Sequence, residues 1–287
     1  MGVDWEIATV LRKRVLTALV LVALFLSAVI YLPLPLLALF FALVAAAGAW
    51  EWAALAGWTR PMLRTFYSVL LLMLTVSLWF WVDLGGKPTA SDVQPFLGSA
   101  GLMWCVYLLF VESFPGTARF WRHPAVRTLM GWAVLGFAWL AVVYLMTLQH
   151  GAILLVLMVI VVASADIGAF FTGRSFGKHK LAPSVSPGKT WEGLWGGLAC
   201  VIVVAVVVAL NLPKAYTHIG IESIIIIGLA TAGASVLGDL TVSMVKRECA
   251  VKDSGTLLPG HGGLLDRLDS ICGAAPIFAL SLVLVGF

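Results

Sequence analysis

Long apolar runs alternate with short polar breaks from one end of the chain to the other. The runs have the length a helix needs to cross hydrocarbon, about 20 residues at a rise of 1.5 Å. Nine spans are predicted, at 15–32, 35–56, 63–82, 97–113, 128–149, 151–171, 192–211, 221–242 and 270–287. The fourth and ninth are the shortest, and eight helices with one re-entrant segment is the alternative. The first run leads into Tyr31-Leu-Pro-Leu-Pro35 without a small-residue cleavage site, so it reads as an uncleaved span.

Charge supports the same count. Of the 18 Lys and Arg, all but Lys87 and Lys214 fall in alternate breaks when nine spans are assumed. Basic residues accumulate on the cytoplasmic side of a membrane, which puts the N-terminus inside and the C-terminus outside. A hydrophobic share of 61%, a charged share of 11% and a mean hydropathy of +1.04 exclude an ordinary soluble domain, in which about 25% of residues are charged. The expected fold is an all-α, polytopic helical bundle embedded in the membrane. It forms a single domain over 1–287, with 1–150 mainly scaffold and 151–287 carrying the chemistry.

The net charge of +4 gives no reason to expect nucleic acid. Cys105, Cys200, Cys249 and Cys272 show neither metal-ligand spacing nor a disulfide framework. No internal repeat or low-complexity tract is evident. Glu51, between Trp50 and Trp52 at the end of the second span, reads as an interfacial belt residue.

Acids are costly near hydrocarbon, so clusters of them mark functional sites. The sixth span ends with Asp166 and Arg174, and the following loop reaches Ser186-Pro-Gly-Lys189-Thr190-Trp-Glu192-Gly193. Gly-Lys-Thr is not a P-loop, because Pro183 stands where the first glycine belongs and no strand precedes it. What remains is a turn feeding a helix N-terminus, where free N–H groups favour phosphate. Ser186, Lys189 and Thr190 are its candidate phosphate ligands; an ordinary N-cap beside a solvated basic loop is the alternative.

In the eighth span Asp239, Ser243 and Lys246 recur on one helical face, with Arg247 beside them. A salt bridge from Asp239 to Lys246 or Arg247 would also explain that spacing. Beyond Lys252 and Asp253 comes Pro259-Gly-His261-Gly-Gly263, then Asp266, Arg267 and Asp269. Asp239, Asp266 and Asp269 make three hard oxygen donors suited to Mg²⁺. The alternative is that Asp266 and Asp269 cap the ninth helix, with His261 as a turn residue.

The run from Ser243 through Lys246-Arg247, Lys252-Asp253, Gly255, Pro259, His261-Gly-Gly263 and Asp266-Arg267 to Asp269 closely resembles the signature of phosphatidate cytidylyltransferases, also called CDP-diacylglycerol synthases. The segments 166–174 and 186–193 are similar to that family too, while the first five spans share only its hydrophobicity. The resemblance implies an enzyme joining CTP and phosphatidic acid, with release of pyrophosphate, dependence on Mg²⁺, and a homodimer among membrane lipids.

On that reading Asp239, Asp266, Asp269 and Lys246 are catalytic, and the three acids hold one or two metal ions. Ser186, Lys189, Thr190, Ser243, Arg247, Lys252, His261 and Arg267 bind substrate, with Asp166, Arg174, Glu192 and Asp253 as secondary candidates. The site is expected on the cytoplasmic face of a bacterial-type inner membrane. Competing readings are an ion or proton relay and a different lipid-phosphate transferase.

Overall fold

The computed structural model describes residues 2–212, 219–258 and 262–287, with side chains from Val15 onward. The described helices are α1 (Gly2–Tyr31), α2 (Leu34–Leu55), α3 (Pro61–Trp81), α4 (Ala90–Glu112), α5 (Ala118–Trp121), α6 (Pro124–Thr147), α7 (Gly151–Phe176), α8 (Trp191–Leu210), α9 (Ile221–Glu248) and α10 (Leu265–Leu284). Between α7 and α8 lie β1 (Lys180–Ala182) and β2 (Ser186–Thr190). Among the described residues, 8 helices, α2 to α4 and α6 to α10, are long and apolar enough to cross a membrane. The apolar stretch Val15–Tyr31 of α1 coincides with the first expected span. The chain is a polytopic, integral membrane helical bundle.

Local chemistry fixes the helix ends. Pro61 and Pro124 open α3 and α6, at the first helical position, where a missing N–H has no partner to lose. Thr89 starts α4 ahead of the expected 97 through a capping box, its N–H donating to Asp92 Oδ2 at 2.8 Å. Ala250 takes φ +54, a left-handed conformation unusual for a side-chain-bearing residue, and turns the chain out of α9.

Buried side chains form two main clusters, and each draws on both halves of the chain. One contains Trp52, Leu71, Trp121, Leu135, Met244 and Leu265, the other Leu84, Leu97, Leu140, Met158 and Phe278. Leu19, Leu102, Phe170, Val203 and Ile226 face outward, as hydrocarbon permits.

Lipid tails are as apolar as leucine, so close approach between helices depends on small residues. A Cβ at Gly197 would lie 2.6 Å from Ala165 O, so α8 and α7 pack backbone against backbone. At the α9–α10 crossing, a Cβ on Gly238 would sit 2.9 Å from Gly273 N, and one on Gly273 would strike Ala234 O.

One end of the bundle is cross-tied. Arg127 Nη1 donates to Leu55 O at 2.7 Å and to Cys249 Sγ at 3.0 Å, joining α2, α6 and the exit of α9. The Cys249 thiol donates to Leu55 O at 3.1 Å. Arg64 Nε donates to Trp50 O at 2.9 Å, adding the start of α3.

The segment expected as a turn at 186–190 is instead a strand. β2 pairs antiparallel with β1, with Lys180 opposite Thr190 and Ala182 opposite Ser186. The reversal is a β-turn with Pro183 at its second position, closed by Val185 N–H on Ala182 O at 3.1 Å. Val185 is buried and its carbonyl accepts from Arg247 Nε at 3.1 Å, which docks the hairpin on α9.

Candidate active site

The Gly238–Gly273 crossing brings Asp239 of α9 beside the first turns of α10, which carry Asp266 and Asp269. Asp239 Oδ2 is 2.5 Å from Lys189 Nζ, contributed by β2. Its Oδ1 accepts from Ser243 Oγ at 3.2 Å, one turn along the same helix. Asp269 is buried, with Ser270 N–H donating to Oδ1 at 2.8 Å. It lies within electrostatic range of Asp239, Lys246 and Lys189. Two carboxylates and an ammonium from three separate elements therefore share one locality.

Asp266 is held differently. Its Oδ1 is 2.6 Å from Lys246 Nζ, a pair with side-chain exposures of 8% and 10%. Its Oδ2 accepts from Ser254 N–H at 2.9 Å and Gly263 N–H at 3.1 Å. Burial makes an isolated charge costly, so this cation and carboxylate stabilise each other only as a pair. The partner of Asp239 is thus Lys189, not Lys246 or Arg247, which replaces the short-range salt bridge that spacing along α9 also allowed.

A cavity of about 360 Å³ opens beside Lys189, lined also by Asp166, Arg174, Gly188, Thr190 and Val236. Its volume is in the range of small-molecule clefts, about 300–1,000 Å³. Asp166 lies within electrostatic range of Lys189 and Asp239. The α8 N-terminus abuts this cavity, where the helix dipole favours an anion. Thr190 caps that helix by accepting from Gly193 N–H at 3.1 Å, so the N-cap reading describes its hydroxyl. Glu192 accepts from His179 N–H and pairs with His179 Nδ1 at 2.7 Å, closing the hairpin against α8.

The other expected residues disperse. Ser186 begins β2. Arg247 is committed to Val185 O and, at 3.3 Å, to Val251 O. Lys252 and Asp253 are exposed on the loop after α9. His261 lies outside the described residues. Arg267 lines a second, apolar cavity of about 380 Å³ with Phe25, Phe41, Trp139, Leu268 and Ile271. Leu264, Arg267, Leu268 and Ile271 form one helical stripe, distinct from the positions of Asp266 and Asp269.

A hard divalent cation needs oxygen donors that converge. Among the described residues, no three His, Cys, Asp or Glu side chains are grouped closely enough to hold a metal ion. Asp239 and Asp269 fit that donor chemistry, whereas both oxygens of Asp266 are already engaged.

Glu51 is buried where the sequence predicts an interfacial residue. It is 1% exposed and accepts hydrogen bonds from Ser254 of the preceding loop and from Leu265, the first residue of α10, instead of lying in an interfacial belt. The one signal in the sequence was an acid inside an apolar helix, which at that depth calls for a partner.

Comparison with known proteins agrees over almost the whole chain. A model of the cytidylyltransferase family matches residues 12–285. A phosphatidate cytidylyltransferase of Haemophilus influenzae is 40% identical over 282 residues, 94% of this chain and 97% of that protein. That of Pseudomonas aeruginosa is 38% identical over 278 residues, 96% and 98% of the two chains. That of Staphylococcus epidermidis is 30% identical over 275 residues, 95% and 99%. With a bundle of apolar helices converging on paired acids and lysines, and relatives aligned nearly end to end, the chain belongs to the cytidylyltransferase family.

Proposed function

We propose that the protein transfers the cytidylyl group of CTP to phosphatidic acid, forming CDP-diacylglycerol and pyrophosphate. The observation that carries this reading is the meeting of Lys189, Asp239 and Asp269 beside a cavity of nucleotide-compatible size. A lipid phosphate oxygen attacks the α-phosphorus of CTP; the new P–O bond forms as the bond to the β-phosphate breaks. A phosphate monoester is largely ionised near neutral pH, with a second pKa of about 6, so no dedicated general base is required. Positioning and charge neutralisation are then the main tasks of the protein.

Lys189 and Arg174 meet the triphosphate, with the α8 N-terminus behind it. Lys246 keeps Asp266 in place from the buried side of α9. Asp239 and Asp269 would hold Mg²⁺, which when bound neutralises triphosphate charge; Asp266 fits the metal role less well. The distribution of Lys and Arg supports a site at the cytoplasmic face of a bacterial inner membrane. A homodimer in that membrane belongs to the same proposal.

The test is purified protein with labelled CTP and phosphatidic acid, with and without Mg²⁺. Labelled CDP-diacylglycerol and stoichiometric pyrophosphate, formed only with the cation, are expected. Failure to label phosphatidic acid, with transfer to a polyprenyl phosphate instead, would overturn the assignment of the acceptor.

A further inference from the structure

The carboxylate of Glu51 belongs to α2, in the scaffold half of the chain, yet among the described residues its hydrogen bonds reach the acid-bearing half. Oε2 accepts from Ser254 Oγ at 2.8 Å and from Leu265 N–H at 2.8 Å. Oε1 accepts from Leu264 N–H at 3.0 Å. Glu51 is 1% exposed and Ser254 is 6% exposed, so water does not compete for these groups.

The first N–H groups of any helix lack partners within it. At α10 the N-cap is Leu264, which makes no side-chain cap bond. Glu51 supplies the missing acceptors from α2, a carboxylate cap contributed by a different helix and favoured by the positive end of the dipole. Arg64, at the start of α3, lies within electrostatic range of Glu51 as a compensating cation.

Two glycines shape the seat. A Cβ at Gly255 would lie 2.5 Å from Glu51 Oε1, and one at Gly263 would lie 2.5 Å from Glu51 Oε2. Ser254 ties the two acids together, its hydroxyl donating to Glu51 and its N–H to Asp266. Gly263 donates to Asp266, and Leu264 and Leu265, the next residues, donate to Glu51. The first turn of α10 is therefore held between two carboxylates, one from the scaffold and one of its own.

We propose that Glu51 is a positioning residue for the reaction: it fixes the first turn of α10, and so sets Asp266 against Lys246 and Asp269 beside Asp239. This deepens the proposed function and rests on it for its kinetic readout alone. Glu51→Gln keeps the size of the side chain but turns one acceptor into a donor facing donors. The full-length protein carrying it should melt within a few degrees of wild type, while kcat falls about 10- to 100-fold, the range for partners that orient a reacting group.

Amide exchange should accelerate in peptides covering 254–267 and stay unchanged in α2 and α6. Ser254→Ala, which removes one donor and leaves the carboxylate, should reproduce part of both effects. Wild-type turnover in Glu51→Gln would overturn the proposal, as would lost turnover with unaltered exchange at 254–267. A general rise in exchange over all helices with a lowered melting point would assign Glu51 to stability alone. If wild type itself formed no CDP-diacylglycerol, the proposed function would fail while the exchange data still judged the Glu51 clamp.

Discussion

Lys189 Nζ meets Asp239 Oδ2 at 2.5 Å, joining a β-hairpin to the middle of the site from an element separated by a whole helix. The two side chains are about a quarter exposed, so the pair is accessible to a phosphate and is not merely a buried tie. Lys189→Ala and Asp239→Asn should each lower kcat/KM by about 100-fold or more, comparable to losing one preorganised group at developing charge. Because the two act together, the double variant should be little worse than either single one. Steady-state kinetics over a range of CTP concentrations checks both statements, and additive losses would separate their roles.

Asp266 and Asp269 are alike in sequence but differ in company. Replacing Asp266 by Asn leaves Lys246 charged, 7% exposed and without its carboxylate. Stripping one partner from a buried ion pair costs about 3–5 kcal/mol. Asp269→Asn removes a buried carboxylate that forms no ion pair among the described residues, and should leave the fold at least as stable. Thermal unfolding in detergent should therefore rank Asp266→Asn well below Asp269→Asn, although both lose activity.

The α9–α10 crossing depends on missing side chains. A methyl group at Gly273 would strike Ala234 O and come within 3.1 Å of Gly238 Cα. Gly273→Ala should destabilise the protein by about 1–3 kcal/mol, the usual cost of overpacking, and separate Asp239 from Asp269. A drop in melting temperature with a parallel loss of turnover is expected. Ala at Gly233, which has open space around its Cβ position, serves as the control and should change neither.

Burial pushes the Cys249 thiol above its ordinary pKa, against the opposing charge of nearby Arg127. A raised thiol pKa means less thiolate at any given pH, and the thiolate is the reactive form. In a chain whose other cysteines are Ala, maleimide labelling of folded Cys249 should lag that of the unfolded chain at pH 8. The lag should narrow as pH rises. Equal rates at pH 8 would show that the tie between Arg127, Leu55 and Cys249 is open in solution.

The membrane bundle is legible in the amino-acid order alone, because hydrophobic length and the asymmetry of basic residues are additive properties of the chain and survive errors at any one position. The same holds along a single helix: the 3.6-residue period put Asp239 and Ser243 on one face, and they do hydrogen-bond. Which acid meets which cation is settled by folding, since that follows from where helices cross. Gly238 and Gly273 let α9 and α10 touch, so Lys246 reaches Asp266, while a hairpin turned by Pro183 carries Lys189 to Asp239. Glu51 escaped for the same reason. Its partners lie more than 200 residues away in sequence, and an acid beside two tryptophans has no local pattern that distinguishes a surface belt from a buried cap.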